Sequence, residues 1–364
     1  MNRRTTSLAA VALLAASPAL AACGSSSGSS SSLGGSTSST SAAAQSDPSW
    51  PTVKLMVGGI DKQIYLPYKL AAQLGFYAKY KVNVVLSTEQ DGGVGAEDAM
   101  ESGQVDMAGA WYNHTIQFQD KGVAVEDIVQ LSGAPGERIM CSTNSGVHSP
   151  ADIKGKKMGV TDLGSGTDVL TQYIAAKGGV TRKQYTTVAV GAGATAIAAI
   201  QHGAADCVMT TQPTVQALEN QGLAYSAIDL ATTDGATKAI GAAWPAAGVL
   251  AKTDWVNSHK DAAQRVVDAL VATMHWIHTH SAADVANALP QTYVQNALVS
   301  KADYVKALTQ DYGQFLPDGL MPSSGPQSVL SSLVLVSKAT GKEDLSATYT
   351  NDFATQAAKD GALN

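Results

Sequence analysis

Cysteine is nearly absent, with three in 364 residues and no two of them in a C-x-x-C pair. That argues against a thioredoxin-like redox motif and a thiolate metal site. The chain also lacks a G-x-S-x-G elbow between a strand and a helix, an H-E-x-x-H helix and a G-x-x-x-x-G-K-[ST] loop. Serine-hydrolase, zincin and P-loop chemistries therefore have no residues to run on, and no catalytic set stands out. Positive charge is scarce too: 24 Lys and Arg face 30 Asp and Glu, for a net charge of −6. No basic patch forms, so nucleic acid is not expected as a partner. The apolar run Leu8 to Ala16 is too short to span a bilayer.

What is present begins at the N-terminus. Met1-Asn2-Arg3-Arg4, the apolar run and Leu20-Ala21-Ala22 form a charged region, a short apolar region and a small-residue cleavage site, read as a signal peptide over residues 1–22. Cys23 after Leu-Ala-Ala resembles a bacterial lipobox, which implies lipidation of Cys23 and an extracytoplasmic, membrane-anchored chain. Residues 23–46 are Ser, Gly, Thr and Ala without apolar period, a flexible tether. About 315 residues follow, a two-domain length. They hold Cys141 and Cys207, two thiols that can pair outside the cytoplasm; the sequence does not place them within bonding distance.

The most informative feature is self-similarity. Lys54 to Val57, a turn, and Leu66 to Phe76 read as strand, turn and helix, and so do Lys157 to Val160, Thr161 to Asp168 and Val169 to Gly178, at an offset of 103. Each unit continues into a second strand, a Gly-rich turn, a helix and a third strand. The third strands are announced by Gly103-Gln104-Val105-Asp106 and Gly203-Ala204-Ala205-Asp206, where Gly caps a helix and Asp opens a strand. Two βαβαβ units predict an α/β fold of two mostly parallel sheets, flanked by helices and facing each other across a cleft. Lobe I is expected over 47–138 with 246–364, and lobe II over 139–245. Ligands bind such sheets at the carboxyl ends of strands, so the repeat nominates the turns Asp61 to Tyr65, Trp111 to His114, Gly164 to Thr167 and Thr211 to Thr214.

Ser149 to Leu170 (SPADIKGKKMGVTDLGSGTDVL), Thr186 to Pro213 and Leu66 to Leu86 resemble substrate-binding proteins of ABC importers, of the nitrate/sulfonate/taurine, NMT1/THI5-like kind, related to pyrimidine-precursor binders. The resemblance covers roughly residues 52 to 285 and weakens after about Ala286. It implies a type II periplasmic-binding-protein fold. It also implies a permease and an ATPase as partners for a monomeric receptor without a cofactor.

Within the nominated turns, Gly164, Ser165, Gly166 and Thr167 suit one compact anionic or polar group at a helix N-terminus, although helix capping alone also explains the hydroxyls. Trp111, Tyr112, Asn113 and His114 offer aromatic walls with polar tips, facing Gln212 and Thr214. Gln63 and Tyr65 align with the Ser165 turn, and Trp244 lies near the second crossing between lobes. Asp61 and Lys62 read as solvated charges, with pairing to a charged ligand as the alternative. Gly191 to Ala196 fits G-x-G-x-x-A but follows the wrong strand and lacks the ribose-binding acid. His275 and His278 share a helix face without a third ligand, so no metal is expected. The expected ligand is a small organic solute with an aromatic or apolar part and one polar or anionic end, sulfonate-like. The alternatives are an enzyme on this fold, akin to a pyrimidine-precursor synthase, or a sensor that docks on a membrane receptor.

Overall fold

The computed structural model describes residues 46–89 and 93–364. The signal segment 1–22, Cys23 and the tether through residue 45 lie outside the described residues, as do residues 90–92. The strands are β1 (Thr52–Val57), β2 (Asn83–Thr88), β3 (Met107–Trp111), β4 (Val125–Gln130), β5 (Glu137–Ser142), β6 (Lys157–Val160), β7 (Thr186–Ala189), β8 (Cys207–Thr211), β9 (Ala224–Leu230) and β10 (Ala247–Lys252). Among the described residues they form two five-stranded sheets, ordered β2-β1-β3-β10-β4 and β7-β6-β8-β5-β9.

The orders are equivalent, as the repeat predicts. In each sheet three strands run parallel, and the fourth position is filled by a strand arriving from the other sheet: β10 antiparallel to β3 and β4, β5 antiparallel to β8 and β9. Each sheet is therefore mixed. β3 and β8 are buried throughout, as strands covered on both faces must be.

The Gly-x-x-Asp motif has the same job twice. Gly103 and Gly203 take φ of 77° and 68° just past the helices Val94–Glu101 and Ala194–Gln201, a conformation that costs glycine little. Asp106 then accepts the Lys54 N–H at 2.8 Å, and Asp206 accepts the Lys157 N–H at 2.7 Å, each tying a third strand to a first. Cys141 and Cys207, directly opposite on β5 and β8, are joined by a disulfide.

Helix Lys260–Thr279 buries Val266, Val267, Leu270, Val271, Met274 and Ile277 completely. It packs on helices Leu66–Gln73 and Asp352–Lys359 and on β4. No helix among the described residues is long and apolar enough to cross a membrane. The segment after residue 286 touches both sheets' helices. Helix Lys301–Asp311 packs on Thr214–Asn220, and helix Gly325–Leu335 packs on both Gly166–Lys177 and Asn113–Asp120. The same segment bonds to the first crossing, where the Leu316 N–H donates to Leu131 and the Gly133 N–H to Gln314.

Candidate functional site

The turns after β1, β3, β6 and β8 meet. The Gln63 N–H donates to the Gln212 carbonyl at 2.9 Å, joining the turn after β1 to the turn after β8. Trp111, at the end of β3, lies on the start of helix Gly166–Lys177 so closely that a methyl group on Gly166 would sit 2.2 Å from its Cε3. Trp111 is 5% exposed, and Gln63, Ser165 and Gln212 are fully buried. This is a closed cleft. Its rim retains a cavity of about 370 Å³ lined by Asp61, Lys62, Gly193, Thr214 and Asn296 among others.

The Gly164–Thr167 turn mostly holds itself. Ser165 is the N-cap of its helix: its Oγ accepts the Asp168 N–H at 3.3 Å and donates to the Asp162 carbonyl at 2.7 Å. Thr167 Oγ1 accepts the Thr161 N–H at 3.0 Å and lies 2.8 Å from Ser165 Oγ. The Gly164 N–H donates to Asp168 at 2.9 Å. The hydroxyls expected to meet an anion are thus spent inside the turn, and the outward surface of the turn is Gly166 against Trp111. Ser165→Ala is expected to cost about 1 kcal/mol of unfolding free energy, as loss of an N-cap does. A urea titration checks this, and an unchanged midpoint would show the cap to be dispensable.

Other nominated residues divide. Tyr112 turns away from the cleft: its hydroxyl pairs with Thr348 at 2.6 Å and its ring meets Tyr349 edge-on. The reason is its contact with the C-terminal segment, Thr348 and Tyr349, which the local pattern does not reveal. Asn113 donates along its own helix to Gln117 at 2.9 Å. Thr214 Oγ1 accepts the Gly193 N–H at 3.1 Å and braces the neighbouring turn. Trp244 is fully buried, donates its indole N–H to Ser332 at 3.0 Å and meets Trp111 edge-on at 5.5 Å, so it backs Trp111. Tyr65 is buried at the closure.

Two acids that the sequence reading did not single out join the site. Glu97, in the first turn of its helix, pairs with His114 Nδ1 at 3.0 Å, both buried. Burial pushes its carboxyl above the usual range, against the pull of His114. Glu137, at the start of β5 and opposite Thr211 of β8, is pushed up to about 8 by burial, against the pull of Lys62. Lys62 is itself buried, with Nζ donating to the Gly58 carbonyl at 2.9 Å, so it is not a solvated charge. Burial and then the charges of Glu97, Glu137 and Glu89 push the Tyr65 phenol well above its ordinary value. Gln63 Oε1, Glu97 Oε1, His114 Nε2, Glu137 Oε2, Thr211 Oγ1 and Gln212 Nε2 are buried without a hydrogen-bond partner. Unpaired buried polar atoms are costly, and those at the closure call for partners that a bound guest can supply.

Comparison with known proteins gives the family and the fold. Residues 64–283 match the family described as NMT1/THI5 like. A protein of solved structure from Bordetella bronchiseptica is 29% identical, covers 85% of this chain and 97% of its own, and superposes with a TM-score of 0.79. The periplasmic nitrate-binding protein of Synechocystis shares the fold at 17% identity, covering 87% of this chain and 90% of its own, with a TM-score of 0.67. A curated 4-amino-5-hydroxymethyl-2-methylpyrimidine phosphate synthase of Legionella pneumophila is 26% identical over 139 residues, 38% of this chain. The match spans only 43% of that synthase.

Proposed function

The chain belongs to the NMT1/THI5-like family, and from that premise we propose that it is the solute-binding component of an ABC importer, lipid-anchored outside the cytoplasm. It traps a small organic molecule between two lobes and delivers the closed form to a permease. The observation that carries this reading is the closure itself: Gln63 on Gln212 and Trp111 on Gly166 join the two sheets' turns over buried polar atoms that lack partners. A solute that meets both walls makes contacts available only when they are shut, and so shifts the equilibrium toward closure. The fold shared with a periplasmic nitrate-binding protein supports the reading.

The enzyme alternative rests on the partial match to the synthase. Against it, Cys141 and Cys207 are tied to each other, and no group of three His, Cys, Asp or Glu among the described residues is placed to hold a metal. The test combines thermal shift and small-angle X-ray scattering on the full-length protein in detergent, across solute classes. A ligand at ~100 times its Kd adds about 2.7 kcal/mol, a plain rise in melting temperature, with a smaller radius of gyration. Stabilisation without contraction would refute the trap, and turnover of the stabilising compound would favour the enzyme.

A further inference from the structure

We propose that the solute is an organic ammonium with an apolar or aromatic body, its nitrogen seated among Gln63, Glu97, Glu137 and Thr211. This rests on the solute-binding reading and names its substrate class. The argument begins with which atoms lack partners. Gln63 donates its Nε2 to the Tyr304 carbonyl at 3.0 Å, so its free atom is Oε1, an acceptor. Glu97 Oε1 and Glu137 Oε2 are carboxyl oxygens, acceptors once the groups ionise beside a cation, and Thr211 Oγ1 accepts as readily as it donates. Gln212 accepts the Gln216 N–H through Oε1 and so leaves one fixed donor, Nε2. The partners of these amides fix their orientation, so their part of the count does not depend on how the groups were turned, and His114 Nε2 adds an acceptor when Nδ1 donates to the Glu97 carboxylate. A nitrate or sulfonate brings only acceptors: it would leave Gln63 Oε1 unpaired and could meet the acids only while they keep their protons. An ammonium brings donors alone.

Charge points the same way. Glu89, Glu97 and Glu137 all act on the buried Tyr65 phenol, and the lysine among them is Lys62, whose Nζ donates to the Gly58 carbonyl and whose charge pulls on Glu137, so acids outnumber it. The ring of Tyr65, buried at the closure, supplies an aromatic surface on which a cation and its carbon body rest favourably. Arg138, next to Glu137, is bound by Asp311 and Asp229, and its pull on Glu137 is opposed by the Asp311 charge.

Protons give a second handle. Without a guest, burial holds the Glu137 carboxyl up to about 8; an ammonium beside it favours the ionised form and expels the proton. The groups bearing on Glu137 are Lys62, Asp311 and Arg138, with Tyr65, Glu97 and His114 close to the same space. Cation affinity then climbs as pH rises toward 8, by up to about tenfold per unit. A ligand that instead accepts a hydrogen bond from the protonated acid shows the opposite slope.

The experiment titrates the full-length protein in detergent with 2-phenylethylammonium, 2-phenylethanol and 2-phenylethanesulfonate, which share one body. Wider sets of alkyl and aryl ammoniums, sulfonates and nitrate accompany them, from pH 6 to pH 8. The expected result is ammonium binding at least about tenfold tighter than its sulfonate counterpart, strengthening with pH. Glu137→Gln should weaken it by about 10- to 100-fold and flatten the pH slope. The ligand-free variant should melt no lower than the parent, which shows that it folds. Tighter binding of sulfonate or nitrate, or affinity that falls as pH rises, overturns the ammonium and leaves the solute trap standing. Silence from every class overturns both.

Discussion

Gly166→Ala is expected to weaken solute binding by about 5- to 150-fold, the range that corresponds to overpacking by ~1–3 kcal/mol, while the ligand-free protein melts at or above the parent temperature. The new methyl group would sit 2.2 Å from Cε3 and 2.7 Å from Cδ2 of Trp111, which lie close to the tryptophan's point of attachment. The ring has no room to retreat, because Trp244 meets its other side at 5.5 Å and is itself pinned to Ser332. Gly166 opens its helix with Ser165 in the N-cap, a position where alanine is at home. The substitution therefore penalises the closed form and leaves the open one unharmed. Calorimetric titration reads the affinity, and scattering reads the shape. The decisive comparison repeats the change in a Trp111→Ala background, where the room is restored and the penalty should vanish. An equal loss in both backgrounds would mean that Gly166 does not report closure.

The architecture was legible because it is written twice. The strands before the two turns, the Gly-x-x-Asp endings and the glycine caps are local patterns, and a repeat 103 residues apart lets each half check the other. The antiparallel strands escaped, since β5 and β10 enter from the neighbouring sheet and nothing in their composition states direction. The meeting of the turns was legible by position, which brought Trp111, Gly166, Gln63 and Gln212 into view. Roles were less legible. Ser165 and Thr167 look identical in sequence whether they hold a ligand or each other. Glu97 looks like a helix-capping acid and Glu137 like a solvated charge at a strand's edge. The available signal for Glu137 was its place before the apolar run Ile139-Met140-Cys141, which makes a neighbouring ion pair Glu137-Arg138 unusual. The C-terminal segment was opaque for a different reason. Its contacts, such as Tyr112 with Thr348, join residues 236 apart, and no periodicity encodes them.

That segment carries the largest expected stability effect. Arg138 forks onto Asp311, at the end of helix Lys301–Asp311, with bonds of 2.8 and 2.6 Å, and reaches Asp229 on the adjoining strand at 3.1 Å. The Asp311 side chain has no solvent exposure and Arg138 very little. Arg138→Met should cost about 3–5 kcal/mol, because it strands a buried carboxylate. Burial already pushes the Asp311 carboxyl up, and the Arg138 bonds pull it down; without them it rises further. A carboxyl raised above its unfolded value of about 3.9 gives its full stability below that value and loses it as pH climbs through the folded one. The deficit of Arg138→Met should therefore be smaller at pH 5 than at pH 8, and Asp311→Leu added to it should recover much of the loss. Urea unfolding at the two pH values decides. A deficit independent of pH, or a double variant no better than the single, would assign the loss to packing of the arginine stem and not to the stranded charge. Because Glu137 and Arg138 are consecutive on β5, they point to opposite faces of the strand. One strand thus carries both a cleft acid and the anchor of the C-terminal segment, so the anchored segment is expected to set how firmly the Glu137 wall stands when the cleft shuts.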